Sequence, residues 1–257
     1  MKKKRALCIG INDYPGTNND LNGCVNDAQD WAELFSRGGY EVTLLLDSMA
    51  TGQAIRDGMR AIVQTTGWGD RGVVTYSGHG TNLRDVSGDE ADGRDEALVP
   101  YDFQNGVILD DELYDIFGYK RFGAKVFFIS DSCFSGTINR FFDPGARTPK
   151  PRYMPPQLIG LDPRPSDLPR DRAPRKSPVT TLTGCAENEV SYDCWFGSRA
   201  NGALTRTAID SYNLMKGTSA NFTLIQWYAD LKGRMTYDQH PQFLPGTPTA
   251  RYWRASQ

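Results

Sequence analysis

The sequence predicts an α/β fold, a three-layer sandwich with a mostly parallel, about six-stranded sheet and helices on both faces. Three observations carry this. Short β-rich apolar runs alternate with segments of helical period. The first run is apolar at nearly every position, as a strand buried on both faces is. Strand, helix, strand, helix, strand in that order requires right-handed crossovers between parallel neighbours.

Residues 5–11, Arg-Ala-Leu-Cys-Ile-Gly-Ile, read as the first strand, ended by Asn12-Asp13. A helix follows over 24–37, where Val25, Ala28, Trp31, Ala32, Leu34 and Phe35 recur every three or four residues and Gly38-Gly39 stops it. Residues 41–46 are a second strand, and 51–64 a helix with Thr51 as N-cap. A third strand spans 72–76, a short helix 110–117 has Asp110 near its start, and a fourth strand spans 124–129. After an interruption come a strand at 179–183, helices over 202–215 and 223–237, and a short strand around Phe243-Leu244.

The interruption is residues 143–178, which hold ten of the 15 prolines and eight Lys/Arg against four Asp. Proline at that density blocks helix and ladder alike, so the segment is expected to be an exposed, extended or disordered insertion. One domain over 1–257 carrying this insertion fits the length. The 29 aromatic residues exclude wholesale disorder. The net charge of −2 carries no nucleic-acid footprint, and no apolar run spans a membrane or forms a signal-peptide core. A cytoplasmic protein is expected, without nucleic-acid or membrane partners, as a monomer or weak oligomer. Five scattered cysteines and two histidines suit neither a disulfide framework nor a zinc site.

In open parallel sheets, sites form beyond the carboxyl ends of the strands. That edge receives Asn12-Asp13, Ser77-Gly-His-Gly80 and Ser130-Asp-Ser-Cys133. A thiol at Cys133 becomes nucleophilic if the His79 imidazole is near enough to take its proton. The glycines beside His79 allow close approach of backbone and substrate. Asp131, two residues before Cys133, points to the same side of an extended strand.

The chain resembles the caspase-like cysteine peptidases, and most closely small metacaspases. The matching pieces are Ala6-Leu-Cys-Ile-Gly-Ile-Asn12, Leu21-Asn-Gly-Cys-Val-Asn-Asp27, Tyr76-Ser-Gly-His-Gly80, Asp92-Gly-Arg-Asp-Glu96, Asp131-Ser-Cys-Phe-Ser-Gly136 and Leu182-Thr-Gly-Cys-Ala186. The resemblance implies a cysteine endopeptidase with Cys133 and His79 as catalytic dyad and the N–H groups of Gly80 and Cys133 as oxyanion donors. It implies an acidic pocket for Arg or Lys from Asp131, Asp27 and Ser77, hence protein or peptide substrates cut after those residues. Asp131 and Asp27 as caps of helices or loops are the alternative. The basic insertion resembles a self-cleaved intersubunit loop, and no appended prodomain is expected. No cofactor is needed for the chemistry. Calcium enters as an activator, with Asp95, Asp110 and Asp111 where the family's ligands sit. A solvated acidic loop running into an N-capped helix at Asp110 explains the same residues, and Arg140 replaces a further expected ligand. Cys8, Cys24, Cys185 and Cys194 read as packed side chains, and Trp195 and Phe196 as cleft wall or core. Two other functions compete: a catalytically silent caspase-like scaffold or regulator, and a nucleotide-binding domain, for which neither G-x-G-x-x-G nor a P-loop is present.

Overall fold

The computed structural model describes residues 2–84, 94–134, 148–161, 177–186, 189–219 and 221–254. Its centre is a six-stranded sheet. β1 (Lys4–Gly10), β2 (Glu41–Leu46), β3 (Arg71–Ser77), β7 (Lys125–Asp131), β9 (Thr180–Thr183) and β12 (Gln242–Leu244) are ordered β12-β9-β7-β3-β1-β2. All neighbours are parallel except β12, which runs antiparallel to β9.

Alternation along β1 divides the core. Leu7 and Ile9 face α2 (Gly52–Thr65) and α3 (Asp110–Gly118). Ala6 and Cys8 face α1 (Cys24–Arg37), α4 (Ala203–Thr218) and α5 (Leu224–Arg234). Both sheet faces are therefore covered, which is why β1 is apolar at consecutive positions. Thr51 caps α2 by accepting from the Ala54 N–H at 3.2 Å, and Gly39 leaves α1 with φ +77, a left-handed conformation that glycine adopts without steric cost.

Two small sheets lie outside the sequence expectation. β4 (Gly80–Arg84), β5 (Arg94–Leu98) and β6 (Ile108–Leu109) form one. β10 (Tyr192–Phe196) and β11 (Arg199–Gly202) form a hairpin, joined by β8 (Lys150–Pro151) from the proline-rich segment. The expectation that 143–178 is exposed is corrected for its described part. Arg152 and Met154 are fully buried, and a 3-10 turn at Pro156–Ile159 packs Ile159 on the main core. What buries them is tertiary: proline forbids a ladder donor at its own nitrogen only, and β8 pairs antiparallel with β10, with Pro151 opposite Tyr192 and Lys150 opposite Asp193.

Candidate active site

The parallel register brings Gly10, Ser77 and Asp131 level at the carboxyl ends of β1, β3 and β7. His79 and Cys133 each follow two residues later, just past the ends of neighbouring strands. The segments touch: a Cβ at Gly80 would collide with the Cys133 carbonyl, so only glycine lets β4 leave this edge.

His79 is held from three sides. The Tyr14 hydroxyl accepts from its backbone N–H at 2.7 Å, and the Tyr14 ring lies 4.6 Å from the imidazole. The ring Nε2 lies 2.6 Å from the Asn19 carbonyl oxygen. A carbonyl only accepts, so Nε2 carries the proton and Nδ1 is left as the base. Nδ1 is buried and, among the described residues, has no hydrogen-bond partner. Burial pushes the His79 pKa down to about 4, against the pull of the Asn19 and Arg152 carbonyls, so the ring is neutral at pH 7.

The Cys133 thiol donates to the Ser191 carbonyl at 3.0 Å and accepts from the Ser191 N–H at 2.7 Å. No hydrogen bond joins it to His79 in this arrangement. Cys185 lies beside it: a hydrogen bond to Cys133, together with burial, raises the Cys185 pKa well above that of a free thiol. All five cysteines are unpaired.

The chain's own residues 150–154 run through this edge. The Arg152 carbonyl accepts from the Gly80 N–H at 2.9 Å and from the Cys133 N–H at 3.2 Å. Two N–H donors converging on one carbonyl oxygen can stabilise the negative charge that nucleophilic attack would place there. Arg152 N–H donates to Ser191 and Met154 N–H to Gly80, both at 2.9 Å, so the strand is pinned on both sides of its carbonyl. The Tyr153 hydroxyl bonds Asn82 Oδ1 at 3.1 Å.

The Arg152 guanidinium enters a closed pocket of three carboxylates. Nη2 reaches Asp27 at 2.6 Å and Asp193 at 3.1 Å, and Nη1 reaches Asp131 at 3.2 Å. All four side chains are at most 1 % exposed. The acids are fixed in turn. Asn201 Nδ2 and the Gly202 N–H donate to Asp27, while Ser191 and Thr205 hydroxyls donate to Asp131. A Cβ at Gly202 would strike both Asp131 Oδ2 and Arg152 Nη1, so glycine keeps this pocket open. Burial and the Asp131 charge raise the Asp27 pKa to about 7 although Arg152 pulls it down.

Of the residues expected from sequence, Asp27 and Asp131 meet at this pocket. Ser77 stands opposite Asp131 across β3 and β7, but its side chain makes no hydrogen bond to Arg152. Asp193, Arg152, Asn19 and Gly202 were not found from sequence. Asp193 alone left a trace, as a charged residue inside the β-rich run Tyr192-Asp-Cys-Trp-Phe. Trp195 and Phe196 lie on β10, with Arg206 5.8 Å above the Phe196 ring. Asp95 is in β5, and Asp110 and Asp111 open α3 behind Leu109 at the N-cap position. Among the described residues no three His, Cys, Asp or Glu gather to hold a metal. Asp85, Asp89, Glu90, Asp92 and Arg140 lie outside the described residues.

Known proteins resemble this chain in sequence and in fold. The family description "Metacaspase, peptidase C14 domain" matches residues 4–141. Metacaspase-4 of Arabidopsis thaliana is 41% identical over 145 residues, covering 52% of this chain and 34% of that protein. Metacaspase-1 of Cryptococcus neoformans is 29% identical over 290 residues, covering 96% and 63%. The chain thus spans between a third and two thirds of the length of these relatives. Protein GSU0716 from Geobacter sulfurreducens has a crystal structure that superimposes with a TM-score of 0.74 at 28% identity, over 99% of this chain and 98% of that one. Caspase-1 from Spodoptera frugiperda shares the fold, with a TM-score of 0.62 at 9% identity over 95% and 86%.

Proposed function

The chain belongs to the metacaspase family, peptidase C14, and on that premise we propose that it is a cysteine endopeptidase that cleaves after Arg or Lys and cuts itself between Arg152 and Tyr153. One observation carries this reading. Arg152 occupies the site as a substrate would, its carbonyl on two converging N–H donors and its guanidinium among three carboxylates. Paired, charge-assisted bonds of this kind favour a guanidinium over any neutral side chain, and repel Asp.

The chemistry follows from the named atoms. The Cys133 thiol turns from Ser191, gives its proton to His79 Nδ1, and its sulfur attacks the Arg152 carbonyl carbon. The oxyanion forms against the Gly80 and Cys133 N–H groups, each such donor worth ~3 kcal/mol in the transition state. His79 then protonates the departing Tyr153 nitrogen, leaving Arg152 as a thioester on Cys133. Water, activated by the same ring, releases the acid and restores the thiol. Asn19 fixes the imidazole tautomer throughout.

A catalytically silent module is the second reading, and it draws on the Cys133 thiol being engaged by Ser191 instead of His79. Intact-mass analysis separates the two. Wild type is expected as fragments 1–152 and 153–257, and Cys133→Ala as intact chain. An intact wild type, or the same nick in both, would reject self-cleavage.

Five unpaired cysteines support a reducing compartment, hence the cytoplasm. Among the described residues no helix is long and apolar enough to cross a membrane. Protein or peptide substrates are the proposed partners of a monomer or weak oligomer. Calcium as an activator rests on the family resemblance and on the acidic run from Asp85 to Asp111. Undiminished self-cleavage in excess chelator would remove it.

A further inference from the structure

The residue after the Arg152 carbonyl is also held by the site. Tyr153 stands opposite Gly80 in a parallel bridge, with hydrogen bonds at 2.9 Å on either side of it. One runs from the Gly80 N–H to the Arg152 carbonyl, the other from the Met154 N–H to the Gly80 carbonyl. β4 therefore sets the register of this segment as it leaves the site past His79. Residues two apart on a strand share a face, so Asn82 lies on the same face of β4 as Gly80. There the Tyr153 hydroxyl donates to Asn82 Oδ1 at 3.1 Å. The Tyr153 ring packs on the small cluster of Cys133, Cys185 and Val190, beside the nucleophile.

This bond runs in one sense only. Burial raises the Tyr153 pKa against the pull of the Arg94 charge, so the hydroxyl keeps its proton at pH 7. An amide oxygen can only accept, so the side chain after the cut must bring a donor. Asn82 is 7 % exposed, which leaves its oxygen little access to water. Phenylalanine would fill the same space and leave that acceptor without its donor. A site built to bond a hydroxyl discriminates against the analogue that lacks it. A carboxylate there would set oxygen against oxygen.

We propose that Asn82 is a specificity-determining residue and that the site prefers Tyr directly after the scissile Arg or Lys. The proposal rests on the peptidase reading and deepens it. Three carboxylates choose the side chain before the cut, and Asn82 chooses the one after it.

Steady-state kinetics on the peptides Lys-Pro-Arg-Tyr-Met and Lys-Pro-Arg-Phe-Met test it. In wild type kcat/KM should be about tenfold higher for the Tyr peptide, the difference expected when a buried acceptor loses its donor. Asn82→Leu, similar in size but without an acceptor, should bring the ratio to about one. Asn82→Asp keeps an acceptor in place and should keep the preference for Tyr. If Asn82→Leu does not fold, Asn82→Ala takes its place. Equal kcat/KM for the two peptides in wild type would overturn the proposal and leave cleavage after Arg standing. So would a Tyr preference that survives in Asn82→Leu, or one that is lost in Asn82→Asp. Failure of wild type to cut either peptide would overturn the peptidase reading, and the role of Asn82 with it.

Discussion

Replacing Asp27 by Asn removes one charge from the pocket and keeps its shape. Asp27 Oδ2 accepts from Arg152 Nη2 at 2.6 Å, and Oδ1 accepts from Asn201 and Gly202 at 2.9 Å each. An Asn amide would set a donor against one of these donors. A hydrogen bond to a charged group is worth ~1.5–3 kcal/mol, and Asp131 and Asp193 remain to hold the guanidinium. The expected loss in kcat/KM on Arg peptides is therefore between about tenfold and about 150-fold. Because Arg152 of the same chain fills the pocket, the uncleaved Asp27→Asn protein should lose stability as well.

A pH signature accompanies that loss. The Asp27 pKa is about 7 with a guanidinium bound and higher without one, because Arg152 is among the groups that lower it. A ligand that lowers a pKa binds more tightly as pH rises. KM for Arg peptides should thus fall as pH climbs above 7, up to the pKa of the empty pocket, and the effect should vanish in Asp27→Asn. Steady-state kinetics on matched Arg and Gln peptides measures both parts. Unchanged kcat/KM on the Arg peptide, or an equal loss on Gln, would refute the pocket.

Gly202→Ala should abolish self-cleavage and Arg-peptide turnover by at least about tenfold, since overpacking costs ~1–3 kcal/mol and the new methyl would meet both Asp131 and the substrate; a Gly202→Ala enzyme with normal kinetics would contradict the cradle. His79 contributes a stability term of known sign. Its pKa of about 4 in the folded chain lies below the unfolded value, so stability is complete above ~6.5 and is lost as pH falls towards 4. Urea titrations of Cys133→Ala should lose about 3 kcal/mol more between those limits than the same protein carrying His79→Gln. Parallel pH profiles for the two would show that His79 is not buried neutral.

How much of this was legible depended on how local its cause is. β1, β3 and β7 are buried on both faces, so consecutive apolar residues such as Leu7, Cys8 and Ile9 announce them. Their parallel order alone predicts that His79 and Cys133 share an edge. The β4–β5–β6 hairpins were not legible, because Asn82, Arg84, Arg94 and Glu96 give them the polarity of a loop. The proline-rich segment misled for a related reason. Arg152 reads as solvated in its local context, and only the closure of β8 on β10 carries it into the pocket. Asp27 and Asp131 were found because motifs frame them, whereas Asp193 sits on a strand that only that closure explains. The Asn19 carbonyl leaves no mark in any side chain, so sequence could not offer it as the group that orients His79.

Whether the site takes Arg152 as its scissile residue is read from hydrolysis of a peptide spanning Lys150-Pro-Arg-Tyr-Met154. Purified wild type should cut it once, between Arg and Tyr. Cys133→Ala should leave it whole, and the same peptide with Asp in place of Arg should survive both enzymes. Cleavage after Asp at a comparable rate, or turnover that persists in Cys133→Ala, would rule out Cys133-dependent cleavage after Arg.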